Sequence, residues 1–509
     1  MQDRPPAVHS ADVDRPDVDR AAIAAPRAAG ERSRPWFQFA CLLGFAALIR
    51  CPAFGEWNYA IDDQYFALVG KRLLAGDRLY VDIWDRKTPL LYLVYAAAAT
   101  LGNQTLAYQA FATVCAALGG YATARLARLF APPGAALMAG LAYVTLLSRF
   151  GGDNGEAAVF YNPLMAAGAL AVVTSLERLR QGFVPWRVTG GMLAAGTAVA
   201  FKQSAAFEAC FLGAASAWMV LASRRPDGQT LARVAGLALA GATPLLAIAA
   251  WYWRSGHFAE LRQAVVESNL LRIYPPPGER LRRIAALVGM IGLPLVLAML
   301  GRRRGATDAR PWAFVALWGG VALAAVLAYP NLYLHYALPL ACPLAALCAP
   351  FFARPDIGRL GFAAMLAVNL WLCDTLALAD RLKARPAAEA LVSYVAQETP
   401  SRKLLVFGMP SYLYALLDAK PPSVLAFPPH LFDGAEAGAT GHDEVKAMQR
   451  ILASRPSTVV LQQPLPAAPV NLATVRQLHR YVRSCRRART MQVYDHDGAV
   501  ALRIYSRCG

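Results

Sequence analysis

"YAIDDQYFALVGKRLLAGDRLYVDIWDRKTPLLYL", residues 59–93, is a charged stretch between two strongly apolar segments, and the side of a membrane it occupies decides how the chain is read. It carries two adjacent acids, Asp62 and Asp63, then three more acids and five bases, and it closes on Lys87-Thr88-Pro89. The chain around it is 57% hydrophobic and 17% charged, too apolar for one soluble core. Runs of roughly 17 to 22 apolar residues recur along it, the length that crosses a bilayer as a helix. The composition therefore predicts an α-helical polytopic membrane protein.

The apolar runs fall near 36–53, 105–124, 134–148, 158–176, 188–201, 204–222, 231–250, 283–300, 311–329, 334–351 and 360–378, which gives about eleven spans. Arginines cluster at Arg32/Arg34, Arg125/Arg128, Arg178/Arg180/Arg187, Arg224/Arg225, Arg302/Arg303/Arg304 and Arg354/Arg359, at every second connection. One orientation puts all six clusters in the cytoplasm. The net charge of +18 is thus accounted for by cytoplasmic loops, and nucleic acid is not an expected partner. Residues 1–34 mix Asp and Arg with Ala and Pro and lack an apolar run, so they are expected to be a disordered cytoplasmic tail and not a signal peptide.

This orientation requires that the apolar piece from Pro89 to Leu101, about 13 residues, does not cross. Residues 54–104 then form one long extracytoplasmic loop with two helices lying along the membrane surface. In the first of these, Phe66, Val69 and Leu73 share a face and Lys71 points away from it. Asp62 and Asp63 stand at its N-terminal end, where the helix dipole favours carboxylates; an N-cap is the simplest account of them.

Three short elements in this loop resemble the membrane glycosyltransferases of the GT-C superfamily, in particular the branch with protein O-mannosyltransferases and lipid A aminoarabinose transferases. The acidic pair Asp62-Asp63 stands where those enzymes carry an Asp-Glu-like pair, and Gly76-Asp77-Arg78-Leu79-Tyr80-Val81-Asp82 resembles their Gly-x-x-Tyr-x-Asp turn with one residue added. Lys87-Thr88-Pro89 resembles the Lys-Pro-Pro-like element that opens a second surface helix, with Thr88 in place of the first Pro. Further along, Gly151-Gly152-Asp153-Asn154-Gly155-Glu156 lies about where relatives place a second acidic element. Lys202 sits at the outer end of the fifth span, and the run through His335-Tyr336 to Pro339 is similar to a His-Tyr-x-x-x-x-Pro element of the family. The resemblance covers most of the chain in layout.

The resemblance implies transfer of a single sugar, hexosyl or pentosyl, from a polyprenyl-phosphate donor to a glycan, lipid or protein acceptor outside the cytoplasm, with inversion. A bacterial inner membrane is the implied location. Such a reaction needs a carboxylate to take the proton of the attacking group; Asp62 is the first choice and Asp63 the second, and since neighbours on a helix point about 100° apart, one of the two is expected to face the site. It also needs cations on the leaving phosphate, for which Lys87, Lys202 and Arg272 are candidates, while Asp153, Glu156, His335 and Tyr336 are expected to contact substrate. No Cys/His spacing resembles a zinc site. A divalent cation on Asp62, Asp153 or Glu156 is compatible with the sequence and not required by it.

The loop 251–282 opens on Trp251-Tyr-Trp-Arg254 and ends in Tyr274-Pro-Pro-Pro-Gly278, a composition suited to a flap over a lipid. Past residue 380 the pattern changes to short apolar strands, "KLLVFG", "SVLAF" and "STVVLQ", with helices near 386–398 and 443–453 and a hairpin turning at Asp497-Gly498. Residues 380–509 are thus expected to be a small extracytoplasmic α/β domain, for acceptor docking or structure, after a transmembrane domain over 35–379. Cys485 and Cys508 flank that hairpin in an oxidising compartment and are expected to pair. A lipid-linked glycan transporter or flippase is the alternative function, but it would bury ionisable groups near mid-membrane, and Glu208 and Asp374 are the two exceptions to otherwise uncharged spans.

Overall fold

The computed structural model describes residues 35–223, 227–302, 309–329, 331–465 and 469–508. The expected tail over 1–34, with Arg32 and Arg34, lies outside the described residues, as do Arg224, Arg225, Arg303 and Arg304. The helices that build the molecule are α1 (Pro35–Arg50), α2 (Ile61–Leu74), α3 (Pro89–Ala99), α4 (Gln104–Ala127), α5 (Pro133–Arg149), α6 (Ala157–Val173), α7 (Trp186–Phe201), α8 (Ala206–Ser223), α9 (Gly228–Arg254), α10 (Pro277–Gly301), α11 (Arg310–Ala328), α12 (Ala341–Phe352), α13 (Gly358–Trp371) and α14 (Leu378–Glu398). Each of the apolar runs in the sequence is one of them: α1 and α4 to α13.

Among the described residues, seven helical segments are long and apolar enough to cross a membrane: Pro35–Ala53, Gln104–Ala127, Gln203–Ser223, Gly228–Arg254, Pro277–Gly301, Arg310–Ala328 and Leu334–Phe352. The remaining apolar helices α5, α6, α7 and α13 have 17, 17, 16 and 14 residues. α5 packs against α4 and α12, α6 against α4 and α7, and α7 against α6 and α9. At 1.5 Å per residue α6 is about 25 Å long, so Glu156 at its start and the connection after Val173 stand at opposite ends of the bundle. At that far end Arg233 reaches the Gly182 carbonyl and Arg310 pairs with Glu177. The connection bearing Arg178, Arg180 and Arg187 therefore lies away from the acidic first loop.

The loop 54–104 folds into α2 and α3, packed closely side by side. A Cβ at Gly70 would lie 2.6 Å from the Tyr95 carbonyl carbon, so glycine sets how near the two helices come. Thr88 precedes α3 and Pro89 is its first residue, where a missing N–H costs nothing. One expectation changes here: α2 does not lie open along the membrane surface. Phe66 and Val69 are buried, and the Lys71 amine donates to the Ala415 carbonyl of the C-terminal domain at 2.6 Å, so α2 is covered by protein where a headgroup was expected.

The C-terminal domain holds a four-stranded sheet, β1 (Leu404–Phe407), β2 (Thr458–Gln462), β3 (Arg487–Asp495) and β4 (Gly498–Ser506), in the order β1-β2-β4-β3. β1 and β2 are parallel, while β2 with β4 and β4 with β3 are antiparallel. β1 and β2 are buried along their whole length and are correspondingly continuous apolar runs. "SVLAF" is not a strand. Leu425 is buried, and the Val424 carbonyl accepts the Trp84 backbone N–H at 3.0 Å, so the segment docks on the loop 54–104 instead of joining the sheet. The hairpin turn is His496-Asp497, with Gly498 opening β4 at φ +116°. Cys485 and Cys508 form a disulfide across the hairpin base.

Candidate active site

A cavity of about 730 Å³ lies between helix ends at one side of the bundle, the first loop and the C-terminal domain. Asp62, Lys87, Glu156, Lys202, Arg272, His335 and Tyr336 all line it. All but Arg272 are set by a helix end or a helical turn. Asp62 is in the first turn of α2, and Lys87 comes just before α3. Glu156 precedes α6 and accepts its first N–H, while Lys202 is the extended residue at which α7 stops. His335 and Tyr336 stand on the 3₁₀ turn Leu334–Leu340 that leads into α12.

The loop bearing Glu156 is held from two sides. Arg50, at the end of α1, donates to the carbonyls of Gly152 and Asn154, each at 2.6 Å. A Cβ at Gly155 would fall 1.9 Å from the Tyr95 hydroxyl, so only glycine allows this approach. That hydroxyl donates to the Gly155 carbonyl at 2.9 Å, and the Gly155 N–H donates to Asp63 Oδ2 at 3.1 Å.

These contacts separate the two adjacent acids. Asp63 does not line the cavity: it is buried and turned to Gly155 and Tyr95. Burial, against the Gly155 N–H and with the neighbouring Asp62 charge, pushes its pKa up to about 7. Asp153 also stays out of the cavity, accepting from the Tyr59 hydroxyl at 3.0 Å beside the Cys373 thiol. Both residues hold the surrounding loops together and do not line the cavity.

Asp62 pairs with Lys87, whose Nζ lies 3.1 Å from Oδ1; Lys87 is also 3.8 Å from Asp85 and 4.4 Å from the centre of the Phe66 ring. Burial alone would raise the Asp62 pKa, but Lys87, His335 and Lys202 outweigh it and hold the carboxyl below the usual carboxylate range. Burial would likewise lower the Lys87 pKa, and Asp62, Asp85 and Glu156 reverse this, so the ammonium is secure. Glu156 behaves in the opposite way. Burial first and the Asp62 charge second push it up to about 8, so it keeps its proton at neutral pH.

The opposite wall contains residues the sequence did not single out. Arg86 forms a two-pronged pair with Glu436 of the C-terminal domain. Arg272 bonds the same carboxylate and donates to the Tyr336 hydroxyl at 3.1 Å. Burial would raise the Glu436 pKa, but the two guanidinium groups hold it well below the carboxylate range. Asp85 and Arg86 had a signal, a run of three charges directly after Trp84; Glu436 had none, because nothing near it in sequence hints at a partner 350 residues away. Tyr274, Pro275 and Pro276 also line the cavity, at the end of the loop that had suggested a flap.

Asp62, Glu156 and His335 bring their ligand atoms within 4.8 Å of one another, a spacing at which a divalent ion could bridge them. Lys87 already supplies the positive charge there, with Lys202 nearby, its Nζ 4.9 Å from the centre of the Tyr336 ring. Asp153 is not part of that group.

No family model matches the sequence, and no curated protein matches it. Solved structures do: ArnT from Cupriavidus metallidurans bound to undecaprenyl phosphate has 13% identity and a TM-score of 0.59, covering 91% of this chain and 97% of that one. The same protein in the apo state gives 14% and 0.58 over the same shares. At that identity the likeness is one of fold, and it extends over the helical bundle and the small α/β domain alike.

Proposed function

We propose that the chain is a glycosyltransferase that moves one sugar from a polyprenyl-phosphate donor to an acceptor at the outer face of the membrane, in a bacterial inner membrane with the C-terminal domain outside the cytoplasm. One observation carries this reading: a single cavity at one end of an ArnT-like bundle joins an ionised, lysine-paired carboxylate to three cationic side chains. That set of charges matches a reaction that must take up a proton and release a phosphate. The match to a structure bound to undecaprenyl phosphate supports the lipid class of the donor.

In this reading the donor phosphate takes Lys87, Lys202 and Arg272 as its partners, with the Tyr336 hydroxyl beside them. Each donor strengthens as charge builds on the leaving oxygen. Lys87 is the linking group. While it is paired with Asp62, that carboxylate is a weak base; when the phosphate draws Lys87 away, the proton affinity of Asp62 rises. The acceptor's oxygen or nitrogen then attacks the anomeric carbon, its proton passes to Asp62, and the bond from that carbon to the phosphate oxygen breaks. Attack opposite the phosphate inverts the anomeric centre. The lysines and Arg272 fill the role of a metal here, so transfer proceeds without a divalent cation.

Binding of bare undecaprenyl phosphate to the full-length protein in nanodiscs tests the assignment. Wild type is expected to bind it, and Lys87→Met and Lys202→Met are each expected to weaken it at least tenfold. Wild-type protein that ignores the lipid, or lysine variants that bind it unchanged, contradict the proposal.

A further inference from the structure

Glu208 is an acid inside a membrane-spanning helix, and the reaction described above does not use it. It lies in the first turn of α8, is 2% exposed, and lines the same cavity as Asp62. Trp318 of α11 donates its indole N–H to Glu208 Oε1 at 2.7 Å. Among the described residues no other hydrogen bond and no cation meets this carboxyl group. Tyr161, Ser204 and Tyr329 line the same cavity, as do the apolar side chains of Ala322 and Val326.

An ionisable group in a span is costly unless something meets it. Trp318 fixes one oxygen and the orientation of the group, which leaves acceptor capacity on a carboxyl group directed at a substrate cavity. Three parts of a polyprenyl-phosphate sugar could come near. The phosphate is drawn to the cationic side chains, and none of them meets Glu208. The isoprenoid tail has no donor to offer. The sugar presents hydroxyl groups for Glu208, Ser204 and the two tyrosines, and C–H faces for aromatic and aliphatic neighbours.

We propose that Glu208 is a specificity-determining residue that accepts hydrogen bonds from the hydroxyl groups of the donor's sugar, in a subsite it forms with Tyr161, Ser204 and Tyr329. This rests on the glycosyltransferase reading. A pocket built to hydrogen-bond a hydroxyl rejects a ligand lacking it, because the buried polar groups are then left unpaired. Glu208 therefore distinguishes sugars and has little effect on the lipid carrier.

The test compares two affinities in full-length protein in nanodiscs: that of bare undecaprenyl phosphate, and those of the same lipid carrying glucose, mannose or arabinose. Wild type is expected to bind one of the glycosylated lipids more tightly than the bare one. Glu208→Met should reduce that preference at least tenfold. Glu208→Gln, which keeps the shape and an oxygen for Trp318, should reduce it severalfold, and both variants should bind the bare lipid within twofold of wild type. Loss of affinity for bare and glycosylated lipid alike shows that Glu208 only joins α8 to α11 and overturns the inference, as does an unchanged preference. Wild-type protein that binds the bare lipid but none of the sugars more tightly also overturns the subsite and leaves the glycosyltransferase reading standing; absence of any bare-lipid binding removes that reading itself.

Discussion

The two walls of the cavity carry similar numbers of charges and use them differently. On the membrane side, Asp62, Lys87, Glu156 and Lys202 come from four separate helix ends, and their charges are incompletely matched: one carboxyl is held ionised and another is held protonated. On the domain side, Arg86, Arg272 and Glu436 form a closed group in which one carboxylate meets two guanidinium groups. An unmatched set can exchange partners when a substrate arrives. A matched set holds two parts of the protein together. The difference assigns proton transfer to the first wall and shape to the second, Arg272 being the one member of the second that also serves the phosphate.

The largest effect is expected on the first wall. Asp62→Asn should lower the transfer rate by about 10²–10⁴-fold, the range for loss of a proton acceptor, with the fold intact by thermal unfolding. Next is the domain wall. Glu436→Ala leaves Arg86 and Arg272 buried without their anion and is expected to cost about 3–5 kcal/mol of stability, read as a lower midpoint of unfolding. If Glu436→Ala instead unfolds like wild type and loses only activity, the division between the walls is wrong.

A pH profile examines the protonated member of the first wall. Glu156 sits above its ordinary range, so raising the pH through about 8 removes its proton and adds a second negative charge beside Asp62 and the phosphate site. The rate should fall on that alkaline side, and Glu156→Gln should abolish the fall. A wild-type rate that stays flat from pH 7 to 9 removes Glu156 from the account. The smallest effect belongs to metal removal: addition of EDTA is expected to leave transfer within about twofold, because the cations on the phosphate are side chains.

The membrane class, the helical runs, and the two helices of the first loop could be read from the sequence because they depend on composition and period, which are local. The same is true of Asp62, Lys87, Glu156 and Lys202, which flank helices at positions where the chain changes from apolar to charged. Reading failed where a long-range contact decides. Asp62 and Asp63 are indistinguishable as neighbours in sequence, and what parts them is the Gly155 N–H, 92 residues away. "SVLAF" has the residues of a strand, yet its Val424 carbonyl is taken by Trp84 and not by a neighbouring strand. Glu436 acquires a role only when the domain closes over the first loop. Cys485 and Cys508 needed less, since the hairpin between them brings their backbones together.

Single-turnover transfer from a radiolabelled polyprenyl-phosphate sugar, with wild type, Asp62→Asn and Asp63→Asn measured side by side in membranes, bears on the whole account. It predicts that Asp62→Asn binds the donor and fails to transfer, whereas Asp63→Asn, altered only in the scaffold, keeps most of the wild-type rate. Transfer at an undiminished rate by Asp62→Asn would contradict it.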